Sequence, residues 1–315
     1  MNRDSKTDFF REQQEIRRRK RIAKMRRRQR KIRRIKKFFR NVCLLSCVSV
    51  CVYVGGRVIL RNNTAGISKK PIHETVTTQT LTKPKRYGER EVYDAIEALA
   101  QKSNQYQKIY DNVDSYPKEL LSSLCNNEEM LDFVLGYPGT NVDKDCKFTK
   151  KELKDDFPLL IQWDKRWGYT SYGNSCIGLS GCAPTCMSMV VLALKKEQSA
   201  TPKEVARFAE ESGYYLDGIG TQWSFLTEGA AHYGINGREL CLDENKIVSE
   251  LKAGHPIICS MKPGDFTAQG HFVVLVGTQG DNIIVNDPNS RKRSNTLWEY
   301  KKLESQIKNL WVYKI

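Results

Sequence analysis

The sequence GLSGCAPTCMSMVV, residues 178–191, joins a glycine-rich turn directly to an apolar helix. Cys182 stands at the start of this helix, and Pro184 lies inside the first turn, where its missing N–H costs nothing. Unpaired backbone N–H groups and the positive end of the helix dipole favour a thiolate at such a position. Cys186 lies one turn deeper among apolar side chains, so the pattern predicts a reactive thiol at Cys182 and a buried one at Cys186. Two buried, unreactive thiols are the alternative interpretation.

A thiol nucleophile needs a base, and the chain contains four histidines: His73, His232, His255 and His271. His271 differs from the others because it opens an apolar run, FVVLV, with the length and β-branched content of a buried strand. A turn at 277–282 and a second apolar run at 283–285 predict a hairpin. The return strand ends in the sequence NDPN at 286–289, which brings the Asp287 carboxylate toward His271.

The register of this hairpin is a problem for that pairing. A plain ladder centred on Gly280 and Asp281 places Asp287 about three residues out of register with His271 and on the opposite face of the sheet. A carboxylate that orients a catalytic imidazole must reach it from the same side. The sequence therefore predicts a bulge or a bend before Pro288.

The short apolar run PLLIQW, residues 158–163, carries one amide side chain, Gln162. An amide donor beside a nucleophilic cysteine stabilises the oxyanion of a tetrahedral intermediate, together with the Cys182 backbone N–H. We expect this run to form a short strand, with Trp163 and Trp167 as core or rim aromatics. A single glutamine is a weak indication of an oxyanion hole. It becomes informative only together with the motifs that follow it in the chain.

Four motifs occur in a fixed order: Gln162, GCAPTC at 181–186, GHFVVL at 270–275 and NDPN at 286–289. This series resembles the papain-fold cysteine peptidases related to the bacteriocin-processing, double-glycine-leader family. More specifically, it resembles the free-standing "like" branch of cysteine peptidase family thirty-nine found in Gram-positive bacteria. The resemblance runs from about Phe157 to the C-terminus.

The resemblance implies a catalytic triad of Cys182, His271 and Asp287, with Gln162 at the oxyanion hole. Two features differ from the family pattern. Ala183 follows the nucleophile where a glycine is usual, and the interval between Gln162 and Cys182 is longer than in the transporter-linked members. The transporter-linked relatives imply leader processing coupled to export, but this chain has no nucleotide-binding motif and no set of six spans.

The positive charge of the chain is confined to its N-terminus. Residues 1–40 hold 19 Lys and Arg against 4 Asp and Glu, which is +15 of the chain's net +16. The other 275 residues are therefore nearly neutral. This distribution predicts a basic tail and no nucleic-acid partner, because a nucleic-acid-binding domain would carry the charge on its folded surface.

An uncharged segment follows the tail. Residues 41–56 hold no charge, and apolar residues at 58–60 extend the segment past Arg57. Flanking arginines can snorkel, so residues 41–60 are predicted to be a single transmembrane signal anchor. The excess of positive charge before it predicts a cytoplasmic N-terminus and a catalytic domain outside the cell, at the cell membrane. A cleaved signal peptide is the alternative.

The rest of the chain divides into three parts. Residues 61–88 are polar and threonine-rich and are predicted to be a linker, and residues 89–150 are predicted to be a lead-in region of two to four short helices. Residues 151–315 are predicted to be the papain-like peptidase domain. Cys125 and Cys146 flank a Pro-Gly turn and form a candidate disulfide in an oxidising exterior, with two unrelated thiols as the alternative.

Within residues 151–315 the pattern predicts helices followed by strands, an α+β architecture that agrees with a papain-like fold. The sequence TPKE at 201–204 predicts a capping box that starts a helix at 205–212. Further helices are expected near 223–233 and 244–252. Strands are expected at 256–261, 272–276, 283–285 and 311–313.

These observations leave three functions. The first is a membrane-anchored cysteine peptidase that hydrolyses a peptide or protein substrate outside the cell. The second is a peptidoglycan amidase or endopeptidase of the same broad fold, and the third is a catalytically silent domain that binds a peptide. We expect no cofactor and no metal, because the sequence has neither a glycine-rich phosphate loop nor a metal-spaced Cys/His cluster.

Overall fold

The computed structural model describes residues 81–138 and 146–315. The predicted basic tail, the predicted signal anchor and most of the predicted linker lie outside the described residues, as does His73. Among the helices within 81–138 and 146–315, none is both long enough and apolar enough to cross a bilayer.

Eleven α-helices occur in these residues: α1 Glu89–Ala100, α2 Asn104–Tyr110, α3 Lys118–Asn126, α4 Leu131–Leu135, α5 Lys150–Lys154, α6 Ile177–Ser180, α7 Cys182–Lys195, α8 Pro202–Glu211, α9 Glu244–Lys252, α10 Arg291–Ser294 and α11 Tyr300–Glu304. Short 3-10 helices lie at Val113–Ser115, Glu128–Met130, Trp223–Leu226 and Ala230–Tyr233. The described part of the lead-in region is therefore helical, as its periodicity predicts.

Ten strands occur in the same residues: β1 Ser171–Tyr172, β2 Ser175–Cys176, β3 Tyr215–Leu216, β4 Gly220–Thr221, β5 Asn236–Glu239, β6 Ile257–Met261, β7 His271–Gln279, β8 Asn282–Asn286, β9 Leu297–Glu299 and β10 Ile307–Lys314. Six of them form one sheet in the order β5-β10-β6-β7-β8-β9, and every neighbouring pair is antiparallel. Helices α1 to α8 precede this sheet in the chain, and α9, α10 and α11 lie between its strands, so the predicted combination of α and β structure is confirmed.

Strand β7 lies inside the sheet and is buried on both faces. Val274 packs in the cluster that holds helix α7, whereas Val273 and Leu275 pack in the cluster that holds helix α9. A strand covered on both faces needs apolar side chains at successive positions, which explains its continuous apolar run. The arrangement places the start of β7, and hence His271, beside the helix that begins at Cys182.

The lead-in helices pack through one apolar face. Val92, Ile96 and Leu99 recur at helical spacing along α1 and are buried against the leucines of α3 in a third cluster. That cluster also contains Ile161 and Trp163. The lead-in helices and the segment that carries Gln162 therefore share one core.

Two of the three predicted helices within the later domain form as expected. In α8 the Thr201 hydroxyl accepts from the Glu204 N–H, although the Glu204 carboxylate bonds Arg207 in place of the reciprocal capping bond. The helix predicted near 223–233 is wrong, since two 3-10 turns stand there. Three successive N–H groups, from residues 227 to 229, converge on the Ser224 carbonyl and close the first turn without extending it.

The four predicted strands are present, and each is longer than or close to its predicted length. Strands β5 and β9 at the edges of the sheet were not predicted. Strand β5 has the polar sequence NGRE, and β9 has only three residues, so neither shows alternation that a pattern could detect.

Candidate active site

Cys182 is the first residue of helix α7, and its side chain is half-buried. Gly181 precedes it, and a Cβ added there would lie 2.5 Å from the Ile177 side chain and 2.6 Å from its carbonyl oxygen. Only glycine therefore fits the turn that presents the thiol. The first N–H groups of an α-helix have no partner within the helix, so the backbone around Cys182 offers donors to an anion.

Cys186 is fully buried one turn further along the helix, in the cluster between α7 and the sheet. Burial raises the pKa of its thiol well above the ordinary value, with a smaller contribution from Cys182. A thiol held neutral in an apolar core is a poor nucleophile. The two cysteines are thus placed as predicted, with Cys182 at a cleft and Cys186 in the core.

His271 is the first residue of β7 and stands opposite Met261 of β6. Its Nε2 atom lies 2.7 Å from Oδ1 of Asp287, and both side chains are buried. Cys182 interacts with the same imidazole and contributes to raising its pKa. Asp287 engages Nε2, which leaves Nδ1 as the ring nitrogen available to the thiol. The structure therefore brings Cys182, His271 and Asp287 together at one site.

A register shift in the hairpin allows this contact. From Gln279 to Gly277 the β7 residues pair with β8 in one register, and between Gly277 and Leu275 the register moves by one residue, so that Val274 pairs with Asn286. Continued onward, this register sets Asp287 opposite Val273, an even number of residues from His271 and on the same face. The predicted irregularity exists, but it lies in β7 and not before Pro288.

The Asp287 carboxylate receives three hydrogen bonds. Oδ1 accepts from His271 and, at 2.8 Å, from the Asn289 N–H, and Oδ2 accepts from Nε of Arg293 at 2.5 Å. Burial raises the pKa of Asp287, but Arg293 and His271 outweigh it and lower this pKa to about 2. Burial lowers the pKa of His271, but Asp287 and then Cys182 raise it to about 9. Both charges are thus favoured near neutrality.

Arg293 is a site residue that the sequence did not reveal. It is buried and lies in the short helix α10, whose N-cap Ser290 accepts from the Arg293 N–H. The sequence around it, RKR at 291–293, has the composition of a solvated surface run. The available signal was the spacing: a serine cap three residues after Asp287, followed by an arginine at the third helical position.

The lead-in region, residues 89–150, also makes hydrogen bonds to the turn between Asp287 and helix α10. Glu129 accepts from the Ser290 hydroxyl at 2.5 Å and from the Arg291 N–H at 2.9 Å, so its carboxylate covers the N-terminus of α10. The Asn127 amide and the Trp163 indole N–H both donate to the Asn289 carbonyl, at 2.5 and 3.0 Å. Glu129 and Asn127, which lie outside residues 151–315, therefore help to fix the turn that carries Asp287.

Gln162 is buried and lines the same cleft as Cys182 and His271. Its backbone N–H donates to the Pro288 carbonyl at 2.8 Å, and its Nε2 donates to the Gly178 carbonyl at 2.9 Å. One N–H of the amide is therefore used within the protein, and Oε1 of the same amide is buried without a hydrogen-bond partner among the described residues. The residues around Gln162 form turns, so the short strand predicted there is wrong. The Gln162 N–H is bonded to Pro288, in the loop after β8, and not to a neighbouring strand.

The cleft has a volume of about 490 Å³. It is lined by Cys182, His271 and Gln162 and, unexpectedly, by residues 84–87 from the end of the predicted linker. A space of this size suits several residues of an extended peptide or a small ligand. The cleft is thus open to a substrate at the thiol.

The remaining predicted residues lie elsewhere. His232 stacks on Phe208 with ring centroids 4.0 Å apart, and His255 pairs with Glu250 at 2.6 Å. Cys125 and Cys146 are thiols, not a disulfide, and the Cys146 thiol donates to the Arg166 carbonyl at 2.6 Å. Among residues 81–138 and 146–315, no cluster of three or more His, Cys, Asp or Glu side chains is arranged to hold a metal ion.

Comparison with known proteins gives a family for the later part of the chain. The sequence profile of the Peptidase_C39 like family matches residues 154–314, slightly more than half of the chain. This range contains all four predicted site residues. No curated protein matches the chain.

Three solved structures are similar to part of the chain. The peptidase domain of Streptococcus ComA, a bi-functional ABC transporter of a quorum-sensing pathway, is 18% identical over 50% of this chain and 96% of that one, with a TM-score of 0.36. A double glycine motif protease from an AMS/PCAT transporter, solved with its leader peptide, is 18% identical over 54% and 99%, with a TM-score of 0.35. A protein described as a C39-like peptidase from Bacillus anthracis is 16% identical over 54% and 98%, with a TM-score of 0.32.

Proposed function

The chain belongs to the Peptidase_C39 like family, and we propose that it is a cysteine peptidase with Cys182 as nucleophile and His271 as general acid and base. Asp287 orients His271. The observation that carries the proposal is the grouping of three side chains: Asp287 bonds Nε2 of His271 at 2.7 Å, and Cys182 interacts with the same imidazole from the start of a helix in an open cleft. These are the parts that a thiol nucleophile requires.

The proposed groups act in two successive steps of the reaction. The Cys182 thiolate attacks the carbonyl carbon of a peptide bond, so that a C–S bond forms and the carbonyl oxygen takes the negative charge. His271 then gives its Nδ1 proton to the amide nitrogen as the C–N bond breaks, which releases the amine and leaves a thioester. Water then attacks the thioester with His271 as base. The C–S bond breaks, the acid product is released and the Cys182 thiolate is restored.

The oxyanion of this reaction needs donors beside the thiol. We assign this role to the backbone N–H of Cys182 and to the second N–H of the Gln162 amide. Gln162 is suited to it because its bonds to Pro288 and Gly178 hold the amide in place without using that N–H. Removing one such donor lowers kcat by roughly 10²- to 10³-fold in other enzymes, so the arrangement matters to the rate.

The pKa of His271 sets the alkaline limit expected for this activity. Burial lowers that pKa, but Asp287 and Cys182 raise it to about 9. The imidazolium is the acid that protonates the leaving amine, so kcat/KM is expected to fall as the pH rises through about 9 and not near 6.5, the ordinary value. The check is a kcat/KM profile of the wild-type chain with one peptide between about pH 5 and pH 11. An alkaline limit that stays near 6.5 contradicts the assignment of His271.

Unbiased cleavage profiling of the purified full-length chain tests the activity itself. The substrate set should hold a defined peptide library and peptidoglycan stem peptides, with products identified by mass spectrometry. We expect new peptide termini from the library. Cleavage of stem peptides alone would show that the activity is peptidoglycan hydrolysis. The absence of any product between about pH 5 and pH 11 would contradict a peptidase.

We further propose that the chain acts outside the cell and is held at the cell membrane by residues 41–60. The support is the charge pattern: a tail of net +15 precedes the uncharged segment. Each Lys or Arg near the anionic inner leaflet contributes about 1 kcal/mol of attraction, so moving the tail outward is strongly disfavoured.

Protease added to intact cells is expected to digest or release the part of the chain after Arg61 and to leave residues 1–40 protected. The measurement is immunoblotting with one tag at each end of the chain. Lysed cells provide the control, since both ends should then be digested. A Cys182 domain that survives in intact cells and is cleaved only after lysis would contradict the extracellular placement.

A further inference from the structure

Residues 83–87, here called the cleft strap, run along the proposed active site without forming a helix or a strand. Four of them, residues 84–87, line the same cleft as Cys182 and His271. The strap precedes residues 154–314, which are the part that matches the family. It therefore lies outside the part of the chain that the family profile matches.

The strap is attached to both walls of the cleft. On one wall the Asn126 amide, at the end of α3, bonds both the N–H and the carbonyl of Lys85 at 2.9 Å. On the other wall Nε of Arg86 donates to the Ala268 carbonyl at 3.3 Å, three residues before His271. The Asn126 amide thus satisfies both backbone polar groups of Lys85, and together with the Arg86 bond it fixes the strap against the two walls.

The strap borders the cleft and does not fill it. With the strap in place the cavity still measures about 490 Å³ and still reaches Cys182 and His271. A segment that blocked the site would occupy the space in front of the thiol. The geometry is therefore that of a wall against which a bound peptide would lie.

The wall is positively charged. The charged residues that line the cleft, other than His271, are Lys85, Arg86, Lys118, Arg293 and Glu119. Arg293 is buried against Asp287, whereas Lys85 and Arg86 are exposed. The Lys85 ammonium lies 4.5 Å from the Tyr87 ring centre, which keeps it on the strap. A substrate in the cleft thus meets more accessible cations than carboxylates.

We propose that the cleft strap determines specificity, and that Lys85 and Arg86 select peptides with Asp or Glu close to the scissile bond. This inference rests on the proposed peptidase activity. An exposed ion pair changes an equilibrium by roughly 1.4- to 5-fold, so two such contacts give an acidic peptide about a tenfold advantage in kcat/KM over the matched basic peptide. The advantage shrinks at high salt, because exposed charges are screened.

The test compares kcat/KM of the full chain for paired peptides that differ only in Glu or Lys beside the cleaved bond. We expect Lys85→Glu with Arg86→Glu to abolish or invert the acidic preference. Lys150→Glu with Lys151→Glu makes the same change of charge at exposed positions of α5, away from the cleft, and should keep the preference. Asn126→Ala removes the attachment of Lys85 without changing the charge and should weaken the preference.

The outcomes separate this inference from the activity on which it rests. If the wild-type chain cleaves neither peptide of any pair, both the peptidase proposal and this inference fail. If it cleaves both peptides equally well, or if the strap variant keeps the wild-type ratio, the activity stands and the specificity role fails. A strap variant that cleaves every peptide faster by the same factor shows an occluding segment, which also overturns the specificity role.

Discussion

Replacing Cys182 by alanine is expected to reduce peptide hydrolysis by a factor on the order of 10⁶, because the attacking atom is removed and Cys182 is the thiol that interacts with His271 among residues 81–138 and 146–315. The fold should survive the change. Cys182 is only half-buried at the first position of α7, and alanine is the best helix former. The measurement is single-turnover cleavage of a peptide that the wild-type chain is known to cut, together with a thermal unfolding curve for each protein.

Cys186→Ala is the matched control, since it removes a thiol four residues away on the same helix. Cys186 is fully buried, so the variant should lose some stability and keep most of its activity. A Cys182→Ala chain that retains wild-type turnover, or a Cys186→Ala chain that is folded and inactive, would contradict the assignment of the nucleophile.

Thiol labelling gives a second check of the same prediction. Cys241 is exposed and has no imidazole among its described partners, whereas Cys182 is half-buried beside His271. If exposure alone governed reactivity, Cys241 would react first with iodoacetamide. We expect Cys182 to react first and Cys186 last, as measured by site-resolved mass spectrometry over time.

Sequence patterns predicted the parts of this site that depend on local structure. The turn before Cys182 needs glycine, and a buried central strand needs a continuous apolar run, so both elements were visible in the residues. The sequence indicated a contact between His271 and Asp287, but a plain hairpin would have placed the two residues out of register. The one-residue shift between Gly277 and Leu275 that removes this conflict depends on packing across the sheet that no local pattern encodes.

Long-range contacts account for what the sequence did not show. Arg293 belongs to a run of cations that resembles a solvated surface, and only the fold reveals that it is buried on Asp287. Glu129 lies more than a hundred residues before the turn it supports. Residues 84–87 belong to a segment with the composition of a linker, although they line the cleft. Such contacts are set by tertiary packing and not by local preference.

The second large effect is expected at the buried pair of Asp287 and Arg293. Asp287→Asn leaves the Arg293 guanidinium buried without its anion, and breaking a buried pair in this way costs about 3–5 kcal/mol of unfolding free energy. The variant also loses the carboxylate that holds the His271 proton, so kcat should fall by roughly 10⁴-fold. Chemical denaturation and single-turnover cleavage measure the two losses separately.

A double-mutant cycle distinguishes the structural part of this effect from the catalytic part. Arg293→Met removes the strongest interaction that lowers the pKa of Asp287, so that pKa rises toward its ordinary value. Since a lowered carboxyl pKa contributes stability that is present above the ordinary pKa and lost as the pH falls toward about 2, this variant should lose that contribution.

Asp287→Asn combined with Arg293→Met contains no unpaired buried cation and should be more stable than Asp287→Asn alone, by about 0.5–3 kcal/mol of coupling. Its activity should remain as low as that of Asp287→Asn, because His271 still lacks its carboxylate. Recovery of activity in the double variant would show that Asp287 acts only through the fold. Strictly additive losses of stability would show that Arg293 and Asp287 do not depend on each other, and the assignment of Arg293 as the residue that holds Asp287 in place would then be wrong.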